Sequence, residues 1–155
     1  VGVKSAEQMF EAVKQAAPAS DVFIAVAAVA DYRVKNRSAQ KIKKGAGGMT
    51  LELTENPDIL AHVAAMKNPP FCVGFAAESE KLAEHARAKR LKKRVPLLAA
   101  NLAQRALGAE ENEITLFDDA GEHTLGRGSK LELAHKLIAH VAAMLAGAKR
   151  SRAKA

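Results

Sequence analysis

Tryptophan is absent, and aromatic residues make up only 4% of the chain. Apolar residues still account for 48%, so a core must be assembled from Ala, Val, Leu and Ile. There is one cysteine, Cys72. A single thiol excludes an internal disulfide framework and agrees with a reducing cytoplasm. Set among apolar neighbours, Cys72 reads as a small buried hydrophobe rather than a nucleophile. No apolar run approaches the length of a membrane span, so no membrane partner is expected. VGVKSAEQMF lacks a leader's order of charge, apolar stretch and small residues. The five histidines (His62, His85, His123, His135 and His140) show no spacing with Cys or acids that would make a zinc site. KKGAGG has neither the Gly-Lys-Ser/Thr ending of a P-loop nor the GxGxxG of a dinucleotide fingerprint.

What is present fits one domain, or a large part of one: 155 residues with a net charge of +7. The charge is uneven. The last eight residues, AKRSRAKA, hold four basic groups and no acid. They are expected as a disordered, solvated tail at 148–155, behind a domain spanning 1–147. Two further basic clusters, Arg33 to Lys44 and Arg87 to Arg94, call for an anionic ligand or for solvent.

Ser5-Ala-Glu-Gln8 has the form of a capping box, and Pro18 stops the helix it opens. Asp21 to Tyr32 begins as a near-continuous apolar run, which suits a strand buried on both faces of a parallel sheet. Residues 33–40 read as a polar loop. Residues 41–44 are expected to pair with 49–55 as a hairpin, since Leu51 and Leu53 alternate with polar neighbours. Asn56-Pro57-Asp58 opens a helix that Asn68-Pro69-Pro70 ends. Phe71 to Glu78 and Pro96 to Asn101 are buried strands, with a helix from Lys81 to Lys93 between them. Residues 113–119 and 122–126 flank a turn at Ala120-Gly121, and the capping box Ser129-Lys-Leu-Glu132 opens a last helix. Strands alternating with helices give an α/β, Rossmann-like fold: a mostly parallel sheet flanked by helices, with an antiparallel flap at about 41–55.

Five stretches carry groups suited to chemistry, and each also has a plainer reading. Ala27 to Asp31 follows the first strand, where open α/β sheets bind ligands; small residues admit a ligand to the backbone, and Asp31 can hold Mg²⁺ or a hydroxyl. The same Asp can simply close a turn. Lys41 and Lys43 share one face of an extended segment and can neutralise a polyphosphate, or protect a hairpin edge. The helix start at Asn56 to Ile59 offers free N–H donors, or is only well capped. Phe75, at the end of the second strand, can stack on a base or fill the core. Lys89 and Lys93 lie four apart on one helix face and either hold an anion or face solvent.

In order, AAVADYR, KIKK, NPDIL, VGFAAE, the Lys/Arg-rich helix, NEITLF and a final Ser-Lys-x-Glu-x-Ala helix resemble the phosphopantothenoylcysteine synthetase domain of the bacterial coenzyme A biosynthesis flavoproteins, the CoaBC or Dfp family. The resemblance covers the chain from about Val1 to Leu145. It implies a phosphopantothenate–cysteine ligase in which CTP activates the phosphopantothenate carboxylate as an acyl-cytidylate and the cysteine amine displaces CMP. Nucleotide contacts are implied for Asp31, Lys41, Pro57, Asp58, Ile59, Leu60, Phe75, Lys89 and Lys93. Ala27 and Ala28 would offer backbone to the substrate carboxylate, and Lys41 would be the key cation at the reacting phosphate. Mg²⁺ is implied, with Asp31 as a candidate ligand, and so is a homodimer.

Three departures from that family stand out. Its domain begins with a strand, a Gly-rich turn and an Asn-containing loop that binds phosphopantothenate. That stretch lies outside these residues, so the chain is expected to be N-terminally truncated and inactive alone. Pro96 and Leu102 stand where the family has Asp. The flavin-dependent decarboxylase domain usually fused upstream is also outside the chain, and no flavin is expected. The competing class is a basic nucleic-acid-binding module, for which the charge speaks, but the scarcity of aromatics and the lack of a reading motif speak against it. A nucleotide-binding fragment without turnover is the third reading.

Overall fold

The computed structural model describes residues 1–44, 47–102, 104 and 110–152. Helix α1 (Ala6–Ala16) starts as the capping box requires: the Ser5 side chain accepts from Gln8 N. Gln8 Oε1 reaches back to Lys4 N at 2.8 Å, one residue short of the usual reciprocal bond. A 3-10 turn at Ala17–Ala19 ends it around Pro18. The strands are β1 (Val22–Ala25), β2 (Tyr32–Val34), β3 (Leu53–Glu55), β4 (Phe71–Glu78), β5 (Leu97–Leu102), β6 (Glu111–Asp118) and β7 (Gly121–Ser129). The other helices are α2 (Ile59–Ala64), α3 (Leu82–Lys93) and α4 (Lys130–Arg152).

The main sheet runs β1-β4-β5-β6-β7. β1, β4 and β5 are parallel, and β6 and β7 continue antiparallel, so the sheet is mixed, with a parallel core. Alternation along the strands divides the interior in two. Cys72, Ala76, Leu98 and Ala100 face α1, α2 and α3, joined by Leu60, Val63, Ala86 and Phe117. Val73, Leu97, Ala99 and Leu116 face α4, which meets them with Leu133, Leu137 and Val141. A core this poor in aromatics is closed by short side chains at close approach. Gly74 is the tightest point: a Cβ there would lie 2.7 Å from both Leu60 Cδ2 and Leu98 Cδ1.

The flap departs from expectation. Its paired arms are β2 and β3, Tyr32–Val34 against Leu53–Glu55, and not 41–44 against 49–55. The polar stretch from 33, expected as a loop, therefore begins as a strand. Arg33 explains the choice: its guanidinium bonds Glu55 O and Asn56 Oδ1, and its Nε pairs with Glu7 at 3.0 Å. The lysine run at 41–44 brings like charges to a strand pair and stays outside regular structure. The KGAGG turn expected there includes residues 45 and 46, which lie outside the described residues.

The last helix extends to Arg152, past the boundary expected at 147, and residues 153–155 lie outside the described residues. Its segment Lys130–Ala148 is long and apolar enough to cross a membrane by length and mean hydropathy. The expectation that no segment has the make-up of a span is corrected to that extent. In this fold the Leu133–Leu137–Val141 stripe is buried against the sheet.

Candidate functional site

The carboxyl ends of β1 and β4 lie side by side, with Ala25 opposite Gly74. After β1 the chain turns sharply, and Val29 N donates to Ala27 O at 3.0 Å. This turn, the start of α2 and one face of α3 enclose a cleft of about 250 Å³. Ala27, Ala28, Asp31, Pro57, Asp58, Ile59, Leu60, Phe75, Lys89 and Lys93 all line it. Residues singled out separately along the chain are thus brought together. Lys41 and Lys43 are not: both sit exposed on the 35–52 connection of the flap, away from the lining.

Asn56 holds the walls in place. Its backbone N donates to Asp31 O at 2.7 Å and its side-chain amide to Ala30 O at 2.8 Å. The turn after β1 is thereby stitched to the segment entering α2. The sequence reading made Asn56 the helix cap with Pro57 as the first helical residue. In the structure Asp58 is the cap, accepting from Ala61 N at 3.0 Å. Asn56 is freed for the longer-range tie because Asp58 satisfies the helix end.

Electrostatics in the cleft are balanced by the protein itself. Lys93 Nζ lies 3.1 Å from the Asp58 carboxylate. Burial alone would raise the Asp58 pKa; the Ala61 N–H and the Lys93 and Lys92 charges outweigh it and hold the carboxyl below its ordinary value. Lys89 Nζ stands 3.5 Å from Glu78, which also meets His85 Nδ1 at 3.6 Å. An anion entering the cleft would compete with two carboxylates for two ammonium groups. Helix α3 presents both lysines on one face and stops at a Schellman turn: Val95 N donates to Arg90 O at 3.2 Å, and Arg94 takes the left-handed position with φ 54°.

A second cavity of about 430 Å³ shares Ala27 to Ala30 and Asn56 with the first. Lys4, Arg33 and Arg37 give it a basic wall. Sequence reasoning missed it, because its cations come from α1's approach, β2 and the flap, and no local spacing links them. Cys72 behaves as expected: it is buried, burial raises its thiol pKa, and Sγ donates to Pro70 O at 3.3 Å.

His123 and His140 converge with Asp118 although no spacing announced it. The hairpin turn brings His123 back beside Asp118, and α4 lays His140 on top. Period-2 register across Asp118–Gly121, combined with the inward stripe of α4, is the signal that would have found them.

Residues 1–145 match the family described as the DNA/pantothenate metabolism flavoprotein C-terminal domain. A coenzyme A biosynthesis bifunctional protein CoaBC from Vibrio cholerae is 41% identical over 144 residues, 89% of this chain and 36% of that protein. The CoaBC protein of Bacillus subtilis is 38% identical over 148 residues, 93% of this chain and 36% of its own length. The chain therefore spans little more than a third of these relatives. The crystal structure of the C-terminal domain of a CoaBC protein superposes with a TM-score of 0.77 at 32% identity, covering 95% of this chain and 66% of that one. A Cab2 mutant in complex with phosphopantothenate-cysteine shares the fold, with a TM-score of 0.74 at 17% identity, covering 96% of this chain and 54% of its own.

Proposed function

The chain belongs to the DNA/pantothenate metabolism flavoprotein C-terminal domain family, and on that premise we propose that its cleft binds CTP and serves the ligation of cysteine to phosphopantothenate. The observation that carries this reading is the cleft itself: every residue assigned to the site by resemblance, except Lys41, lines one cavity at the carboxyl ends of parallel strands. The cleft suits a nucleotide. Phe75 lines it with an apolar side chain partly buried against the core, Pro57 to Leu60 offer backbone to a base edge, and Lys89 and Lys93 offer charge to phosphates.

In the proposed reaction the phosphopantothenate carboxylate attacks the α-phosphorus of CTP. The bond to pyrophosphate breaks and an acyl-cytidylate forms. The cysteine amine then attacks the acyl carbon, CMP departs with the bonding electron pair, and the amine loses its proton. Activation is needed because a carboxylate oxygen is otherwise a poor leaving group. Lys89 and Lys93 hold the anionic nucleotide, and Lys41 on the flap is the cation assigned to the reacting phosphate. Asp31 has the oxygen chemistry to hold Mg²⁺ together with nucleotide phosphates, which is how this cation is commonly held; bound there, Mg²⁺ would offset phosphate charge. The adjoining cavity, with Lys4 and Arg37 on its wall, suits the second anionic substrate. A homodimer would cover Ile42, Met49 and Leu51, which are exposed on the flap.

Nucleotide choice tests the reading. Calorimetry with Mg²⁺ should give tighter binding of CTP than of ATP, GTP or UTP, because a fixed backbone edge discriminates among bases. Equal affinity for all four removes the assignment.

A further inference from the structure

The far end of the molecule carries a cluster that the proposed reaction does not use. Asp118 closes β6 at the amino end of β5, opposite the end that forms the cleft: Phe117 pairs with Leu98, at the start of β5. Asp118 Oδ1 lies 3.0 Å from His123 Nε2, and Oδ2 lies 2.9 Å from His140 Nε2. The two imidazole rings are 4.7 Å apart, and the three potential ligand atoms lie within 4.8 Å of one another. We propose that Asp118, His123 and His140 form a binding site for a divalent transition cation of the zinc class.

Three features support a built site rather than a chance meeting of polar groups. First, the ligand set is right. Two imidazole nitrogens and one carboxylate suit a borderline cation, with ligand distances near 2.0–2.2 Å. Atoms at such distances around a tetrahedral centre stand a little over 3 Å apart, so the carboxylate–imidazole spacings of 3.0 and 2.9 Å need to open only slightly, within a set whose atoms all lie within 4.8 Å of one another. Second, the carboxylate is oriented from behind. Its Oδ1 also accepts from Ala120 N at 2.8 Å and Gly121 N at 3.1 Å, in the turn that Gly121 permits at φ 126°. Outer-shell bonds of that kind fix a metal ligand in place. Third, access is graded. The Asp118 side chain is 5% exposed, His140 22% and His123 36%, so a cation reaches the site from the turn and keeps one position for water.

The three ligands come from β6, β7 and α4. A cation bound there would tie the β6–β7 turn to the helix that covers that face of the sheet. Loading requires each Nε2 to present a lone pair. A proton now shared with Asp118 moves to Nδ1 of the same ring if the imidazole is neutral, or leaves to solvent if it is protonated.

The test uses the tag-free 155-residue chain, stripped of metal and titrated with Zn²⁺ in a calorimeter, then with Co²⁺ while the visible spectrum is recorded. One Zn²⁺ per chain is expected, together with the absorption of low-symmetry four-coordinate Co²⁺. His123→Gln and His140→Gln should each weaken binding roughly tenfold or more, the order of loss seen when metal-site groups are removed, and the double variant should abolish the Co²⁺ bands. Glutamine can still donate to Asp118, which favours folding of the variants, and circular dichroism checks it. Should His140→Gln fail to fold, His123→Gln at the exposed turn decides alone. No saturable uptake by the wild-type chain overturns the proposal: the cluster is then a hydrogen-bonded staple. Wild-type affinity in a folded His123→Gln chain overturns it equally, placing the metal at other histidines.

Discussion

Asp58 serves two neighbours at once, capping α2 through Ala61 N and pairing with Lys93. Because the backbone bond is independent of Lys93, a phosphate can draw the ammonium away without uncapping the helix. Lys41 is the contrasting residue. It is exposed and outside regular structure, so its side chain contributes little to the resting fold. Its proposed value lies in the transition state, where a preorganised charge at the reacting phosphate is worth ~2.7–4 kcal/mol. In a full-length enzyme, Lys41→Ala is therefore expected to slow pyrophosphate release by roughly 10²–10³-fold while the melting temperature stays constant. An unchanged rate would leave Lys41 an edge lysine. Asp31, Phe75, Lys89 and Lys93, picked out separately along the chain, line one cleft. Asn56 was seen as a cap and missed as a tie, because its partners Ala30 and Asp31 are distant in sequence.

Elements were legible where local signals settle them. The Ser129–Glu132 box formed in full, with bonds of 2.8–3.2 Å at the start of α4, and Ser5 caps α1 although Gln8 reaches Lys4 N instead of Ser5 N. The apolar runs became β1, β4 and β5. The flap was misread because its pairing is decided by Arg33, whose contacts with Glu7 and Asn56 no periodicity encodes. Packing between elements was also hidden. Gly74 looks like an interruption in FCVGFAAE, yet it is where α2 and β5 close on β4 from two sides. Ala at this position would put its methyl 2.7 Å from Leu60 Cδ2 and Leu98 Cδ1. Either α2 lifts, carrying Asp58 and the cleft wall with it, or both leucines leave their rotamers. Gly74→Ala should destabilise the chain by about 1–3 kcal/mol, the usual cost of overpacking a filled core, and should weaken nucleotide binding. Denaturant unfolding with the wild-type midpoint would show that the site relaxes more easily than its packing implies.

At the scale of the molecule, the net charge of +7 suggested a nucleic-acid partner, but about half of the basic residues in the two clusters meet acids within the fold. Arg33 meets Glu7, Lys35 Glu52, Arg87 Glu122, Arg90 Asp119 and Lys93 Asp58. Composition counts these charges and is blind to their pairing. The pairing has a consequence for acid stability. Asp58, Asp118 and Glu132 all sit below their ordinary pKa values. For Asp118, burial would raise it, and the bonds from His123, His140 and Ala120 N reverse the sign. For Glu132, the bonds from Ser129 do the lowering. A carboxylate with a depressed folded pKa releases its proton more readily in the folded chain than in the unfolded one. Its stabilisation is complete above the ordinary values of 3.8 for Asp and 4.5 for Glu, and is lost as pH falls through the lower folded values. These three groups secure the start of α2, the β6–β7 turn against α4, and the start of α4, so they report on both faces of the sheet. Melting curves in chelator, taken from neutral pH downward, should therefore show stability falling steeply below about pH 4.5. Asp118→Asn should lower the neutral-pH melting temperature and flatten the acid slope, since one of the three titrating groups is gone. A wild-type melting temperature that holds level to pH 2.5 would mean that these carboxylates keep the same proton affinity folded and unfolded, and that their bonds stabilise none of the three joints.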